Sequence, residues 1–267
     1  MEVNMEKKLE AFKRLLNIMD ELRAKCPWDK KQTFDSLRAN TIEETYELCD
    51  AIMKKDTKEI KKELGDVLLH IVFYSKIASE TNDFDIADVC NSLCDKLIFR
   101  HPHVFGEENA QNAGEVEKSW EQIKQKEKDG NKSVLAGVPD ALPALIKCYR
   151  IQDKARNVGF DWKEKEDIWH KVEEELNEFK DEVHAMNQEK MEEEFGDLLF
   201  SMINAARLYK INPENALERC NRKFIRRFNH IEKRSKEENK ELSQLSLEEM
   251  DAYWDEAKKI EKENIQS

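Results

Sequence analysis

The sequence predicts an all-α protein built from two tandem helical repeats, and three observations carry that expectation. Only 7 glycines and 5 prolines occur in 267 residues. Ordinary usage is about 7% and 5%, so tight hairpin turns are scarce. Apolar residues recur near a 3.6-residue period in the long segments. Between Glu63 and Ile77 they are Leu64, Val67, Leu68, Ile71 and Phe73/Tyr74. The same pattern of residues then returns past mid-chain.

In chain order, helices are expected over 5–25, 40–55, 57–80, 84–100, 143–157, 165–187, 189–209, 213–238 and 247–263. Short breakers separate several of them: CPWD at 26–29, TNDFD at 81–85, HPHVFG at 101–106 and INPEN at 211–215. The stretch DGNKSVLAGVPDALP (129–143) reads as a linker, holding two of the glycines and two of the prolines. The expected organisation is an N-terminal helical domain over 1–125, a linker region over 126–150 and a C-terminal helical domain over 151–267.

Charge narrows the function classes. With 45 Lys+Arg against 57 Asp+Glu, the net charge is −12. That argues against a dedicated nucleic-acid binder, whose phosphate contacts need a basic face. The longest uncharged runs, 67–75 and 198–206, fall far short of the roughly 20 residues a bilayer span needs. The opening MEVNMEKKLEAFKRLLNIMDEL is charged throughout and lacks an apolar h-region, so no secretory signal and a cytoplasmic location are expected. Cys26, Cys49, Cys90, Cys94, Cys148 and Cys220 include no CxxC pair. They read as small buried apolar residues rather than disulfides or ligands. A zinc site from Cys90, Cys94, His101 and His103 lacks the paired-ligand spacing of structural zinc.

The repeat is specific. TIEETYELCDAI (41–52) followed by KKELGDVLLHIVF (61–73) is matched by VEEELNEFKDEV (172–183) followed by EEEFGDLLFSMIN (192–204). Glu44, Glu47, Glu63 and Asp66 reappear 131 residues later as Glu175, Glu178, Glu194 and Asp197, and Gly65 reappears as Gly196. DKLIFRH (95–101) is echoed by RKFIRRF (222–228), and Trp120-x-x-x-Lys124 by Trp254-x-x-x-Lys258. In so acidic a chain any single ExxE is a solvated helix face. Four acids at one offset, in matching apolar frames, are not.

Residues three apart share a helix face, so each ExxE and each ExxD projects as a pair. A short connector lets the two helices fold back antiparallel. Gly65 and Gly196 each cost about 1 kcal/mol relative to Ala inside a helix, and close helix approach is the expected compensation. Four converging carboxylates need a counter-charge. An all-oxygen ligand set points to Mg²⁺ or Mn²⁺, and Mg²⁺ prefers substrate phosphates among its partners. A di-iron bundle wants Glu-x-x-His, and no histidine here has Glu three residues before it.

These acids, with CPWDKKQTF (26–34), TIEETYEL, ELGDVLLHIVFY, DKLIFRHPHVFG, VGFDW (158–162) and EEEFGDLLF, resemble the two-repeat bacterial form of the MazG family of nucleoside triphosphate pyrophosphohydrolases. The resemblance covers nearly the whole chain. It implies an all-α fold that forms a homodimer, Mg²⁺ dependence, and hydrolysis of NTP between the α and β phosphates to NMP and pyrophosphate with broad base specificity. Residue by residue, it places Glu175, Glu178, Glu194 and Asp197 as metal ligands and catalytic acids, with a second set at Glu44, Glu47, Glu63 and Asp66. The nucleotide contacts it implies are Lys171, Val172, Glu173, Glu174 and Glu175, then Lys190, Met191, Glu192, Glu193 and Asp197. Lys223, Phe224, Ile225, Arg226, Arg227 and Trp254 complete them. Arg supplies a bidentate fork for phosphate, and Trp254 a flat face for a base, its alternative being packing of the last helix. Lys190 could equally pair with a nearby acid such as Glu194.

Two other readings compete. One is a narrower (d)NTP or phosphoribosyl-ATP pyrophosphatase sharing the seam. The other is a non-catalytic helical interaction protein. Within the chain, the cations favour the second repeat as the catalytic one: Lys171 is matched by Asn40, Lys190 by Glu59 and, at the offset of 127, Arg226 by Phe99.

Overall fold

The structure is a computed structural model that describes residues 2–106, 123 and 133–266. Among the described residues every regular element is helical. The helices are α1 (Glu2–Lys25), α2 (Phe34–Lys54), α3 (Thr57–Glu80), α4 (Ile86–Arg100), α5 (Pro102–Phe105), α6 (Ala144–Asn157), α7 (Ile168–Ala185), α8 (Gln188–Leu208), α9 (Pro213–Glu237) and α10 (Leu247–Gln266). No described helix is long and apolar enough to cross a membrane. The Trp120–Lys124 half of the last sequence echo lies outside the described residues.

The helix starts have local causes. Asp56 accepts from the Lys58 and Glu59 amides at the start of α3, and Asn187 accepts from the Lys190 amide at the start of α8, satisfying donors that have no intrahelical partner. α2 begins at Phe34, six residues earlier than the periodicity suggests. Thr33 and Ser36 form a reciprocal capping box there, so the chain turns helical immediately after the CPWD breaker.

The chain divides into two compact units, Met1–Gln111 and Asn112–Ser267. In the first, α2 and α3 form an antiparallel pair on which α1 and α4 pack. Met19, Leu37, Val72 and Phe73 are the buried centre, flanked by Phe12, Leu15, Leu16 and Ile86. In the second, α7 and α8 are the corresponding pair, with α6 and α9 against α8 and α10 against α9. Ile168, Val172 and Ala205 form one apolar cluster. Ile231, Leu245 and Tyr253 form another, with Trp254 packed on it. Leu37 and Ile168, both fully buried, stand 131 residues apart, so the repeat extends from the acids to the core beneath them.

The two repeats also expose the same ridge. Leu64, Leu68 and Ile71 on α3 are largely solvent-exposed, and so are Phe195, Leu199 and Met202 on α8, each at the offset of 131. One expectation is corrected here. A Cβ added at Gly65 or Gly196 would meet nothing within 4 Å, so close approach within the chain is not what these glycines serve. They sit on the open side of the helix beside the ridge.

Candidate active site

The central helix pair of each unit gathers three of its four repeated acids. Carboxylate oxygens of Glu44, Glu63 and Asp66 all lie within 4.8 Å of one another, as do those of Glu175, Glu194 and Asp197. Each trio takes one acid from the ExxE helix and two from the ExxD helix, because an antiparallel pair brings one turn of each into register. Glu47 and Glu178, the second acids of their pairs, lie outside the trios. Glu178 still feels its trio. Burial and the charges of Glu175, Glu194 and Glu174 raise the Glu178 carboxyl above its ordinary range. Burial, then Asp66, Glu47 and Glu63, does the same to Glu44. The rise marks concentrated negative charge that protonation or a cation relieves.

Each trio has also recruited an ammonium group. Lys171 Nζ lies 2.7 Å from Glu175 Oε1 and 2.7 Å from Glu174 Oε1, and hydrogen bonds to Glu174 and Glu175 hold it charged well above the lysine range. In the first unit Lys62 Nζ lies 2.8 Å from Glu63 Oε1 and 4.0 Å from Asp66. Glu63 is only 3% exposed, yet its Oε2 has no hydrogen-bond partner among the described residues. A buried carboxylate oxygen without a donor is unfavourable, and a hard cation among oxygen ligands is the partner it suits. The donor sets therefore fit a divalent metal of the Mg²⁺ or Mn²⁺ type in both units.

Of the cations expected at the second seam, Lys171 alone pairs with the trio among the described residues. Lys190 bonds Glu193 at 2.6 Å rather than Glu194, one turn along the same helix face. Lys223, Arg226 and Arg227 gather elsewhere, with His230 and Glu261, around a pocket of about 590 Å³ between α9 and α10. Glu261 binds Arg227 at 2.7 Å and Arg226 at 3.3 Å. Trp254 is covered: Phe224 packs on it at 5.2 Å between centroids, and the Arg227 guanidinium lies 5.3 Å from its ring centre. Val172 is buried in the core, Glu173 and Glu192 point to solvent, and Met191, Phe224 and Ile225 are surface or half-buried.

A second pocket, of about 680 Å³, opens from the trio itself. Lys171, Glu175 and Asp197 line one part of it, and Gln152, Phe160, Asp161, Trp162, Phe200 and Asn204 line others. Its wall is braced by Arg207. That buried guanidinium grips both Asp161 carboxylate oxygens and the Asn204 side-chain oxygen. Burial alone would push the Asp161 carboxyl up. The Arg207 bond and charge, with the Trp162 amide, outweigh it and hold the group below its ordinary value. The sequence pattern alone assigns no role to Phe160, Asp161 and Trp162 of VGFDW, nor to Gln152 and Asn204. The signal available was a motif without charge pattern, whose convergence with α8 only the tertiary fold creates.

In the first unit a Cys90/Cys94/His101/His103 site is not formed among the described residues. Both cysteines are exposed and free, and none of the six cysteines is fully buried, which corrects the buried role expected of them; among the described residues the candidate metal groups are the two acidic trios.

Comparison with known proteins shows the family. A family profile described as MazG nucleotide pyrophosphohydrolase domain matches residues 32–105 and again 163–232. A Thermotoga maritima protein named nucleoside triphosphate pyrophosphohydrolase/pyrophosphatase MazG is 46% identical over 250 residues, covering 92% of this chain and 95% of its own. The nucleoside triphosphate pyrophosphohydrolase of Escherichia coli K12 is 43% identical over 255 residues, covering 93% and 97%. An uncharacterized Bacillus subtilis protein, YabN, is 46% identical over 255 residues, 94% of this chain but 52% of that one. Two copies of one helical domain, each with an acidic trio on its central helix pair, define a tandem-repeat hydrolase. The chain belongs to the MazG nucleotide pyrophosphohydrolase family.

Proposed function

We propose that this chain hydrolyses nucleoside triphosphates between the α and β phosphates, releasing NMP and pyrophosphate, with Mg²⁺ as cofactor and Mn²⁺ as its substitute. The second repeat, over about 151–267, is the catalytic half in this reading, and 1–125 is structural or binds another ligand. The observation that carries it is the trio of Glu175, Glu194 and Asp197, with Lys171 against it, at the mouth of a nucleotide-sized pocket.

Glu175, Glu194 and Asp197 would hold the metal, which when bound supplies charge to polarise the α-phosphate and acidify water. Lys171 is poised to exchange Glu174 for a phosphate oxygen, and Lys190 to exchange Glu193, since both are held by exposed i,i+3 partners worth little in water. Both ammonium groups then neutralise charge on the departing pyrophosphate. Glu178 lies outside the trio with its carboxyl raised, and in this reading it takes the proton of the attacking water. Lys223, Arg226 and Arg227 add a second basic wall, neutralised by Glu261 until phosphate competes.

Broad base specificity and a homodimer belong to the same reading. The homodimer is supported by the apolar ridges left open on α3 and α8, since exposed contiguous apolar surface marks an interface and two-fold pairing is the commonest closure. A cytoplasmic location also belongs to it. The test is to incubate the chain with Mg²⁺ and each of the eight common NTPs and dNTPs and identify products. NMP with pyrophosphate supports the assignment. Release of orthophosphate, or no turnover of any of the eight, overturns it.

A further inference from the structure

The cavity beside the second trio holds one feature that metal and phosphate chemistry does not use. Gln152 on α6 is 5% exposed and lines this cavity. Its Nε2 donates to the Phe200 carbonyl at 2.8 Å, which fixes the orientation of the amide. The other end, Oε1, is buried and has no hydrogen-bond partner among the described residues. Buried amide oxygens are rarely left unmet, and this one belongs to a side chain of the cavity's lining.

The walls around it suit a flat aromatic guest. Phe160 is 82% exposed and Trp162 39% exposed, both on the cavity's lining, whereas Trp254 already has Phe224 and Arg227 on its ring. The cavity is continuous with Lys171, Glu175 and Asp197, so a guest here is joined to the phosphate end.

The first repeat carries larger side chains at the matching positions. At the offset of 131, Ser201, Asn204 and Ala205 correspond to His70, Phe73 and Tyr74. His70 and Phe73 are buried. Thr41 Oγ1 lies 3.0 Å from His70 Nδ1 and 2.6 Å from the Tyr74 hydroxyl, tying the larger side chains together. Smaller residues thus stand in the second repeat where larger ones stand in the first.

We infer that this cavity seats the nucleobase, and that Gln152 Oε1 accepts one hydrogen bond from an N–H on the base's Watson–Crick edge. The inference rests on the proposed activity and deepens it. Adenine and cytosine offer an exocyclic amino N–H, and guanine, uracil, thymine and hypoxanthine a ring N–H. A single acceptor is satisfied by all of them, so the site is tolerant of base identity while still demanding a donor. Bases that lack any edge N–H leave the oxygen buried and unmet, which weakens binding about tenfold.

The test compares substrates that differ only in that donor. Purine riboside triphosphate is ATP without the amino group, and 3-methyluridine triphosphate is UTP without its ring N–H. With the wild-type chain and Mg²⁺, each analogue is expected to show a KM about tenfold above its parent. Gln152→Leu is expected to bring both ratios close to one. Ser201→Leu fills the cavity from α8 and raises KM for every NTP while leaving inhibition by inorganic pyrophosphate as in wild type. Calorimetry with AMP and purine riboside monophosphate gives the same comparison without turnover. If ATP is not cleaved, the proposed activity fails, and the monophosphate ratio still decides the base site. If ATP is cleaved and the analogue ratios are already near one in wild type, or Gln152→Leu preserves them, or Ser201→Leu leaves the KM for ATP unchanged, this inference is overturned and the activity stands.

Discussion

Asp197→Asn is expected to make the metal-free protein more stable and the enzyme almost inactive. In the structure Asp197 makes no ion pair with a lysine or arginine among the described residues, while its ligand oxygen lies within 4.8 Å of those of Glu175 and Glu194. Unit charges at that separation repel by about 3.5 kcal/mol at an effective dielectric of about 20, and by about 0.9 kcal/mol at about 80. Asp197 is exposed, so the lower figure applies to each of its two repulsions. Removing the charge while keeping the shape should therefore stabilise the metal-free chain by about 1–2 kcal/mol, a rise of a few degrees in its unfolding temperature. The same change takes one of three carboxylates from the cation. Loss of even an outer-shell partner weakens metal sites by about 10–100-fold, so half-saturating Mg²⁺ for pyrophosphate release should rise about 100-fold or more. Thermal unfolding in chelator and an Mg²⁺ titration of activity read the two effects separately. A variant that keeps wild-type Mg²⁺ dependence, or that loses stability without metal, would show that Asp197 is a structural acid and that the trio is not a metal site.

Four further outcomes are expected. Glu175→Ala with Glu178→Ala should abolish ATP cleavage, while Glu44→Ala with Glu47→Ala should leave most of it; the opposite result in a pyrophosphate-release assay moves catalysis to the first repeat. Asp161→Asn should cost about 2 kcal/mol at neutral pH by leaving buried Arg207 unpaired. Because the Asp161 carboxyl is held below its unfolded value of about 3.9, its contribution is present above that value and fades as pH falls through the lower folded one; the variant's acid-unfolding curve should therefore be flatter, and an unchanged acid limb refutes the role. Gly196→Ala should raise the unfolding free energy by about 0.5–1 kcal/mol, read as a higher denaturant midpoint at unchanged slope, since an added Cβ meets nothing. Light scattering at micromolar concentration should give twice the 31.5 kDa chain mass, and a value at 31.5 kDa removes the homodimer.

Much of this fold is legible in the sequence because it depends on neighbours along one helix. The bounds of α3 follow from the period of Leu64, Val67, Leu68 and Ile71 and from Asp56 as a cap. The trios follow almost as directly, because the acids recur at one offset and residues three apart share a face. The limits are equally physical. Whether Glu47 and Glu178 join their trios depends on the register between two helices, which no spacing within one helix encodes. Lys190 could reach Glu193 or Glu194, and a fraction of a turn decides. The purpose imagined for Gly65 and Gly196 presumed a close neighbour that the fold does not supply. The cavity is least legible of all. Leu135, Gln152, Trp162, Lys171 and Arg207 come from separate elements, and the spare acceptor on Gln152 exists only because the Phe200 carbonyl occupies its other end.

The larger side chains of His70, Phe73 and Tyr74, where the second repeat has Ser201, Asn204 and Ala205, have a consequence for how this protein is counted. Both units carry an acidic trio, but only the second has small side chains beside it. Titration with Mn²⁺ should therefore saturate at more equivalents per chain than titration with a nucleotide, by the share of ions that the first unit takes up. Specific activity normalised to bound metal will then understate the turnover of each working centre. A preparation stripped of a fraction of its metal can keep full activity if the ions lost come from the first unit, so occupancy and rate need not fall together.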